Sequence, residues 1–136
     1  ADTLKLEIVT PESVVYSEDV DMVTLPGSEG DTGIYPNHMP LMTKVQAGEL
    51  VIKRVGAEEF LAVGEGFAEI TGDHVAILTD NAIDSANVDE AAAEEAKAKA
   101  EQRLAEGGDM TEDEAKALNQ AILYSAAQLK AKRSRR

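Results

Sequence analysis

The sequence contains no cysteine and no tryptophan, and its aromatic residues are limited to two phenylalanines and three tyrosines. The absence of cysteine excludes disulfide bonds, thiolate metal sites and cysteine nucleophiles. Because aromatic side chains are so few, the hydrophobic core must consist of valine, isoleucine, leucine and alanine. No apolar run approaches the roughly 20 residues that span a bilayer, and the first residues lack the pattern of a secretory signal. We therefore expect no segment inserted directly into a bilayer.

Acidic residues outnumber basic ones by 26 to 13, which gives a formal net charge of −13 and argues against nucleic acid as a partner. Residues 1–86 hold 16 acids and 4 bases, residues 87–114 hold 10 acids and 3 bases, and residues 115–136 hold 6 bases and no acid. Such a reversal indicates a segment that meets an acidic partner. The alternative is a solvated helix end whose cations complement the helix dipole.

Residues 1–86 carry the pattern of short β-strands. Apolar and polar residues alternate from residue 4 to residue 8, and further apolar runs follow, with glycine and other turn residues between them. The predicted strands cover residues 4–8, 14–16, 20–25, 50–55, 60–63, 67–70 and 75–78. Strands at this spacing predict an antiparallel sandwich or a flattened barrel. None of the four prolines lies in a predicted strand, as expected for a residue that cannot donate to a strand ladder.

Residues 25–41 interrupt the strands with three glycines and three prolines and show no hydrophobic periodicity. Proline fixes φ and glycine permits positive φ, so this stretch is predicted to be a long loop shaped by backbone chemistry. Spaced apolar residues indicate that it is ordered, since a disordered linker would lack them. We expect a structured surface loop that presents Glu29, Asp31 and His38 to a partner.

Candidate catalytic chemistry is sparse. Gly27, Gly30 and Gly33 have the spacing of a phosphate cradle, but they lack the accompanying lysine, hydroxyl and strand-to-helix setting, so we interpret them as turn formers. His38 and His74 are the only histidines, and neither has companions spaced as in a catalytic triad or a zinc site. The sequence predicts neither a catalytic nor a metal site.

From residue 87 onward the pattern is helical, without proline and with glycine only at positions 107 and 108. Asn87 with Glu90, and Thr111 with Glu114, have the spacing of capping boxes. These signals predict helices over residues 88–106 and 112–132, each roughly 30 Å long, that form an antiparallel hairpin.

The predicted contact faces of the two helices consist largely of alanine. The first helix would present Val88, Ala92, Ala96, Ala100 and Leu104, and the second Ala115, Leu118, Ile122, Ala126 and Leu129. Alanine buries little apolar surface, whereas a buried leucine contributes about 1.5–3 kcal/mol. Helices held in this way should rearrange readily. The sequence therefore predicts a rigid β domain over residues 1–86 and a mobile helical arm over residues 87–136.

Residues 25–41 resemble the signature loop of the epsilon subunits of F-type ATP synthases, which correspond to the mitochondrial delta subunit. The matching positions are Leu25, Pro26, Gly27, Gly30, Gly33, Ile34, Pro36, Asn37, His38, Pro40 and Leu41. Residues 63–70 and 75–82 resemble the later strands of that family. The order of the β part and the helical hairpin also agrees, so the resemblance extends over the whole chain.

The resemblance implies a ten-stranded antiparallel β-sandwich followed by an antiparallel two-helix hairpin. It implies a non-catalytic subunit of the central stalk, or rotor, of a proton-translocating ATP synthase, bound to the gamma subunit and resting on the c-ring. Ion flow through the ring would then be coupled to ATP synthesis in the alpha/beta catalytic hexamer. The implied location is peripheral, at the cytoplasmic face of a bacterial inner membrane. No cofactor is implied, and the coupling ion, H⁺ or Na⁺, stays open.

The resemblance also implies two contact sites. The c-ring contact falls on Glu29, Asp31 and His38. In many bacterial members the helical arm extends along gamma, and its basic second helix inhibits ATP hydrolysis by meeting the catalytic hexamer. The cations available for that inhibitory contact are Lys116, Lys130, Lys132, Arg133, Arg135 and Arg136.

Some members of the family bind ATP through an Ile/Leu-Asp-x-x-Arg-Ala motif at the start of the first helix. The matching residues here are Val88, Asp89, Ala92 and Ala93, so the arginine is missing. Without the guanidinium, the motif lacks the donor best suited to a phosphate. The motif is therefore degenerate, with only Asp89 retained, and ATP binding is expected to be weak or absent.

Two other classes of protein fit the sequence less well. One is a free-standing β-sandwich ligand-binding module with a helical oligomerisation tail. Such a module would need exposed aromatic residues to bind its ligand, and the chain has few aromatic residues. An enzyme would require a nucleophile with an adjacent base, which no motif supplies. Co-purification with gamma and the catalytic hexamer distinguishes the first interpretation from these two.

Overall fold

Ten strands form two five-stranded sheets, and two helices follow them, in a computed structural model that describes residues 3–27 and 29–135. The strands are β1 (Leu4–Val9), β2 (Val14–Val20), β3 (Met22–Leu25), β4 (Thr32–Ile34), β5 (His38–Val45), β6 (Gly48–Arg54), β7 (Ala57–Val63), β8 (Gly66–Gly72), β9 (His74–Thr79) and β10 (Ala82–Asp84). A 3₁₀ turn (Ser85–Asn87) leads into α1 (Glu90–Glu106) and α2 (Glu112–Arg135).

The strand order is β2-β1-β9-β8-β5 in the first sheet, sheet A, and β10-β7-β6-β3-β4 in the second, sheet B. The predicted ten-stranded sandwich with a C-terminal helical hairpin is confirmed. Its pairing is antiparallel except between β1 and β9, which run parallel. The core between the sheets consists of valine, leucine, isoleucine and one alanine, as the composition predicted, and it includes Leu4, Leu6 and Ile8 at 0 % exposure.

The prediction of one continuous loop over residues 25–41 is wrong. Strand β4 lies inside that range and pairs with β3, and β5 begins at His38 and pairs with β8. Three residues are too few to show an alternating pattern, so β4 carried no signal in the sequence. Its backbone hydrogen bonds to β3 define it as a strand.

Pro40 lies within β5, a strand that the sequence did not predict. β5 is an edge strand of sheet A, and its register with β8 shifts between His38 and Leu41. Proline is tolerated at such a position because the missing N–H interrupts no central ladder. The same break in regularity concealed the strand from periodicity analysis.

The helix boundaries agree with prediction at one cap and differ at the other. Thr111 Oγ1 accepts a hydrogen bond from Glu114 N at 3.1 Å, which confirms that cap. Asn87 belongs to the 3₁₀ turn, and α1 is instead capped by Asp89, whose Oδ1 accepts from Ala92 N at 3.1 Å. α2 continues to Arg135, three residues beyond the prediction.

The predicted contact face of α1 is partly wrong. Ala92 and Ala96 are exposed, whereas Ala93 and Ala100 are buried. α2 contacts α1 on one side and strands β6 and β7 of sheet B on the other. Because α2 has two neighbours, its buried residues do not form a single stripe. The prediction considered only the contact between the two helices and therefore missed this arrangement.

The sandwich has two distinct ends. At the end we call the arm end, Gln46 N donates to Pro26 O at 3.1 Å and Gly64 N donates to Asn81 O at 2.7 Å. At the opposite end, the far end, Asn37 N donates to Asp73 Oδ1 at 2.9 Å. Clefts between α2 and the sandwich are lined by arm-end residues, so the helical arm packs at that end.

The β6–β7 hairpin at the far end turns through Val55 and Gly56, which both have positive φ, 50° and 77°. This combination is typical of a type I′ turn, for which Asn-Gly is preferred. Valine is a β-branched residue and a genuine outlier at positive φ, and Val55 is 89 % exposed, so no packing offsets the strain.

Replacing Val55 with asparagine should therefore raise the free energy of unfolding by about 1 kcal/mol, since asparagine tolerates the left-handed conformation. The measurement is the denaturant midpoint of the full chain. Gly56→Ala is the matched control and should lower it, because the φ of Gly56 is also positive. A lower midpoint for Val55→Asn would contradict the assignment of strain to Val55.

Candidate functional site

Two of the three residues predicted to contact the c-ring lie together at the arm end. Glu29 and Asp31 are exposed in the β3–β4 loop. Glu29 lines a small cleft of about 210 Å³ with Lys44, and Asp31 lines one of about 270 Å³ with Glu49 and Lys130 of α2. The loop thus presents carboxylates beside the arm.

His38 does not join them. It pairs with Gly72 at the far end, while Val45 at the other end of β5 pairs with Gly66. At 3.3 Å per residue, β5 separates the two ends by roughly 20 Å. The imidazole Nδ1 of His38 lies 2.7 Å from the carbonyl oxygen of Met39. A partner that contacts only the arm end, where the Glu29–Asp31 loop lies, would therefore not reach His38.

An exposed apolar row crosses the outer face of sheet A, and the sequence interpretation missed it. Register places Val14 beside Val9, Val9 beside Leu78, and Leu78 beside Phe67. Val14, Leu78 and Phe67 are 58 %, 53 % and 52 % exposed. We call these four residues the apolar row.

The sequence does contain a signal for the apolar row. Ala68 and Ile70 of β8 point into the core and are buried, so the alternation assigns Phe67 to the outer face. A large apolar residue on the solvent side of an alternating strand is the anomaly. A contiguous exposed apolar patch of this kind is typical of a protein–protein contact surface.

Polar and charged residues surround the apolar row. Lys44 of β5 pairs with Phe67, and Glu65 and Asp80 lie in the adjoining loops. Together with Lys116 of α2 they line an open cleft of about 530 Å³ beside the row. An apolar centre with a charged rim is the usual composition of a protein–protein interface. His74 lies farther along the same sheet, with its Nε2 2.8 Å from Glu7 Oε1.

The basic end of α2 is partly neutralised within the chain. Lys130 Nζ lies 3.8 Å from Glu49 Oε1, and an Arg133 guanidinium nitrogen lies 3.5 Å from Glu94 Oε1. Lys132 and Arg135 form no ion pair with the part of the chain that the structure describes. Arg136, the sixth predicted cation, lies outside the described residues.

The distribution of charge along α2 also complements the helix dipole. Its first turn contains Glu112, Asp113 and Glu114, and its last turn contains Lys132, Arg133 and Arg135. Such placement is favourable by about 0.3–1 kcal/mol per charge at an exposed terminus. The alternative interpretation of the basic end therefore accounts for part of it, and the two interpretations are compatible.

The residues of the degenerate nucleotide motif form the start of α1 and contribute to its structure. The Asp89 carboxylate is engaged as the cap of α1, and Ala92, where the motif has arginine, is exposed. Ala93 is buried at 3 % exposure. No side chain at these positions can donate a hydrogen bond to a phosphate.

Residues 3–27 and 29–135 contain neither a cluster of metal-binding side chains nor a helix suited to crossing a membrane. No three His, Asp or Glu side chains in these ranges converge as metal ligands would. Neither α1 nor α2, within its described residues, combines the length and apolarity of a helix that crosses a membrane.

Comparison with known sequences finds one family and many relatives. The profile of the family described as "ATP synthase, Delta/Epsilon chain, beta-sandwich domain" matches residues 3–85. An ATP synthase epsilon chain of Dehalococcoides mccartyi is 50 % identical over 104 residues, which cover 76 % of this chain and 74 % of that one. The epsilon chain of Syntrophobacter fumaroxidans is 42 % identical over 112 residues, which cover 82 % of this chain and 84 % of that one. The epsilon chain of Bacillus subtilis is 38 % identical over 110 residues, which cover 81 % of this chain and 83 % of that one.

Solved structures share the fold. A chain in the Euglena gracilis mitochondrial ATP synthase (OSCP/F1/c-ring) superposes with a TM-score of 0.78 at 18 % identity, covering 96 % of this chain and 82 % of that one. A chain from the central stalk and c-ring of the Tetrahymena thermophila mitochondrial ATP synthase gives 0.61 at 13 % identity, covering 95 % and 96 %. At such identities the likeness concerns the fold alone.

Proposed function

The chain belongs to the ATP synthase delta/epsilon family, and from this membership we propose that it is a non-catalytic subunit of the central stalk. In this role it binds the gamma subunit and the c-ring and couples ion flow to ATP synthesis in the catalytic hexamer. Its helical arm inhibits ATP hydrolysis. The same proposal makes it a peripheral component of a membrane complex, at the cytoplasmic face of a bacterial inner membrane.

The observation that carries the proposal is the apolar row on sheet A. A sandwich has two outer faces, and α2 packs on β6 and β7 of sheet B, so the outer face of sheet A remains open. Phe67 and Leu78 lie on neighbouring strands near the arm end of that face and are each about half exposed. We assign this face to the gamma subunit, because a permanent stalk partner would bury apolar surface that is costly to leave in water.

The Glu29–Asp31 loop at the arm end is assigned to the c-ring. Both carboxylates are exposed, and their negative charge suits basic residues on the polar loops of the ring. His38 is left out of this contact because it lies at the far end of β5. The division of the sandwich into a gamma-binding face and a ring-binding end gives each contact its own surface.

The helical arm is assigned the inhibitory role. Small residues such as Ala93, Ala127 and Ala131 make up most of the buried residues of its helices, alongside Leu129, so only modest apolar burial opposes its release. Release would free Lys130 from Glu49 and present the basic end of α2 to acidic residues of the catalytic hexamer. The charge reversal along the chain supports this electrostatic role.

Binding of the gamma subunit should depend on the apolar row. Phe67→Ser and Leu78→Ser should each weaken the affinity for purified gamma by about tenfold or more, equivalent to about 1.4 kcal/mol, because each removes a large apolar side chain from the centre of the contact. Titration calorimetry provides the measurement. Val55→Ser removes a more exposed apolar side chain at the far end and should leave the affinity unchanged. Unchanged affinity in both row variants would refute the assignment.

Inhibition should depend on the cations at the end of the arm. Neutralising three of them with glutamine (Lys132, Arg133 and Arg135) should raise ATP hydrolysis by the reconstituted complex by at least about fivefold, the lower end of ordinary coupling energies. The charge-matched control neutralises three cations of α1 (Lys97, Lys99 and Arg103). If both variants hydrolyse ATP at the unsubstituted rate, the arm is not an inhibitor through its charge.

The chain should show no micromolar affinity for ATP, because position 92 carries no guanidinium. Titration calorimetry with ATP should therefore give no saturable heat at micromolar concentration, whereas Ala92→Arg should introduce measurable binding. Ala91→Arg adds the same charge at an adjacent exposed position and is the control. Micromolar binding by the unsubstituted chain would contradict the expectation.

A further inference from the structure

Glu49 is a buried acid on a face that a bare sandwich would expose. It lies on β6 between Gly48 and the core residue Leu50, so its side chain points away from the sandwich core. Yet the Glu49 side chain is only 8 % exposed, and Ala62, its partner on β7, is 0 % exposed although it lies outside the core cluster. α2 covers both residues, since it packs on these two strands.

The carboxylate of Glu49 is poorly compensated in this position. Its Oε2 atom is buried and has no hydrogen-bond partner among the described residues. Its Oε1 atom lies 3.8 Å from Lys130 Nζ, which is beyond hydrogen-bond distance. The Lys130 side chain is itself 68 % exposed, so water screens the attraction between the two charges.

Two opposing contributions therefore determine whether α2 remains on the sandwich. Leu123, Ala126 and Ala127 of α2 line the cleft with Glu49 and favour closure by burying apolar surface. Closure also removes the Oε2 atom of the carboxylate from water without giving it a hydrogen bond, which opposes closure. Lifting the arm would restore the hydration of Glu49.

We infer that Glu49 is a built-in charge that destabilises the closed position of the arm, and that Lys130 is its partial counter-ion. The apolar contacts of α2 hold the arm down against this charge. The biological consequence rests on the proposed inhibitory role of the arm. An acidic surface on the catalytic hexamer that engages Lys130 would leave Glu49 without a counter-ion, so capture of the lysine and release of the arm would favour each other.

The inference predicts opposite effects for the two members of the pair. Because the chain has no native cysteine, Ala127→Cys provides a single thiol in the covered cleft, and its rate of modification by a thiol reagent reports opening of the arm. In this background Glu49→Gln should slow modification by about tenfold, because a neutral amide is less costly to bury than a carboxylate. Lys130→Met should accelerate it by about threefold, and should have no effect once Glu49 is glutamine.

An exposed ion pair on α1 provides matched controls. Lys99 Nζ lies 3.0 Å from Glu95 Oε1, and both side chains are largely exposed. Glu95→Gln and Lys99→Met should leave the modification rate unchanged. Ala68→Cys, at 0 % exposure in the sandwich core, should react equally slowly in all variants if only the arm opens.

Faster modification in Glu49→Gln would show that Glu49 stabilises the closed position of the arm, and this result would overturn the inference. An unchanged modification rate would also overturn it. ATP hydrolysis by the reconstituted complex separates this result from the proposed function. If Glu49→Gln slows thiol modification but leaves ATP hydrolysis unaffected, Glu49 does destabilise the closed arm and the proposed inhibitory role of the arm is wrong. If thiol modification does not slow, the inference about Glu49 is wrong, whatever the rate of ATP hydrolysis.

Discussion

The two sheets of this protein can cover each other on one side only, and this constraint governs the rest of the structure. The inner faces form an aliphatic core, and two outer faces remain. α2 covers part of one of them, on β6 and β7. The other carries the apolar row, in which Val14, Leu78 and Phe67 are each more than half exposed. Each outer face therefore requires a separate explanation, and each corresponds to one part of the proposed function.

Contacts of modest strength hold the arm to the sandwich. Small side chains provide much of the apolar burial, and an acid without hydrogen bonds lies beneath α2. The ion pairs of Lys130 and Arg133 are long and both cations are largely exposed, so the pairs add little stability. A balance of this kind allows a protein partner to shift the position of the arm with a differential affinity of a few kcal/mol. A strongly packed arm could not respond in this way.

Local patterns in the sequence determined much of the fold. Alternation in one strand and apolar runs between turn residues in six others located seven of the ten strands, and the change to proline-free, alanine-rich sequence located both helices. The sequence missed β4, β5 and β10, of which β4 and β10 have three residues each and β5 contains Pro40. Such strands exist because distant strands pair with them, and a local window does not contain those partners. The cap at Asp89 was missed because Asn87 offered a competing signal two residues earlier.

For the candidate sites, the sequence by itself determined which residue types are available, and the tertiary structure decided which of them meet. Glu29, Asp31 and His38 are close in sequence, but β5 carries His38 to the far end. Val9, Phe67 and Leu78 are far apart in sequence, but neighbouring strands align them into one row. Glu49 and Lys130 are also far apart in sequence, and they become an ion pair only because α2 packs on β6. Strand pairing and helix docking join distant segments, so the contacts they create have no local signature.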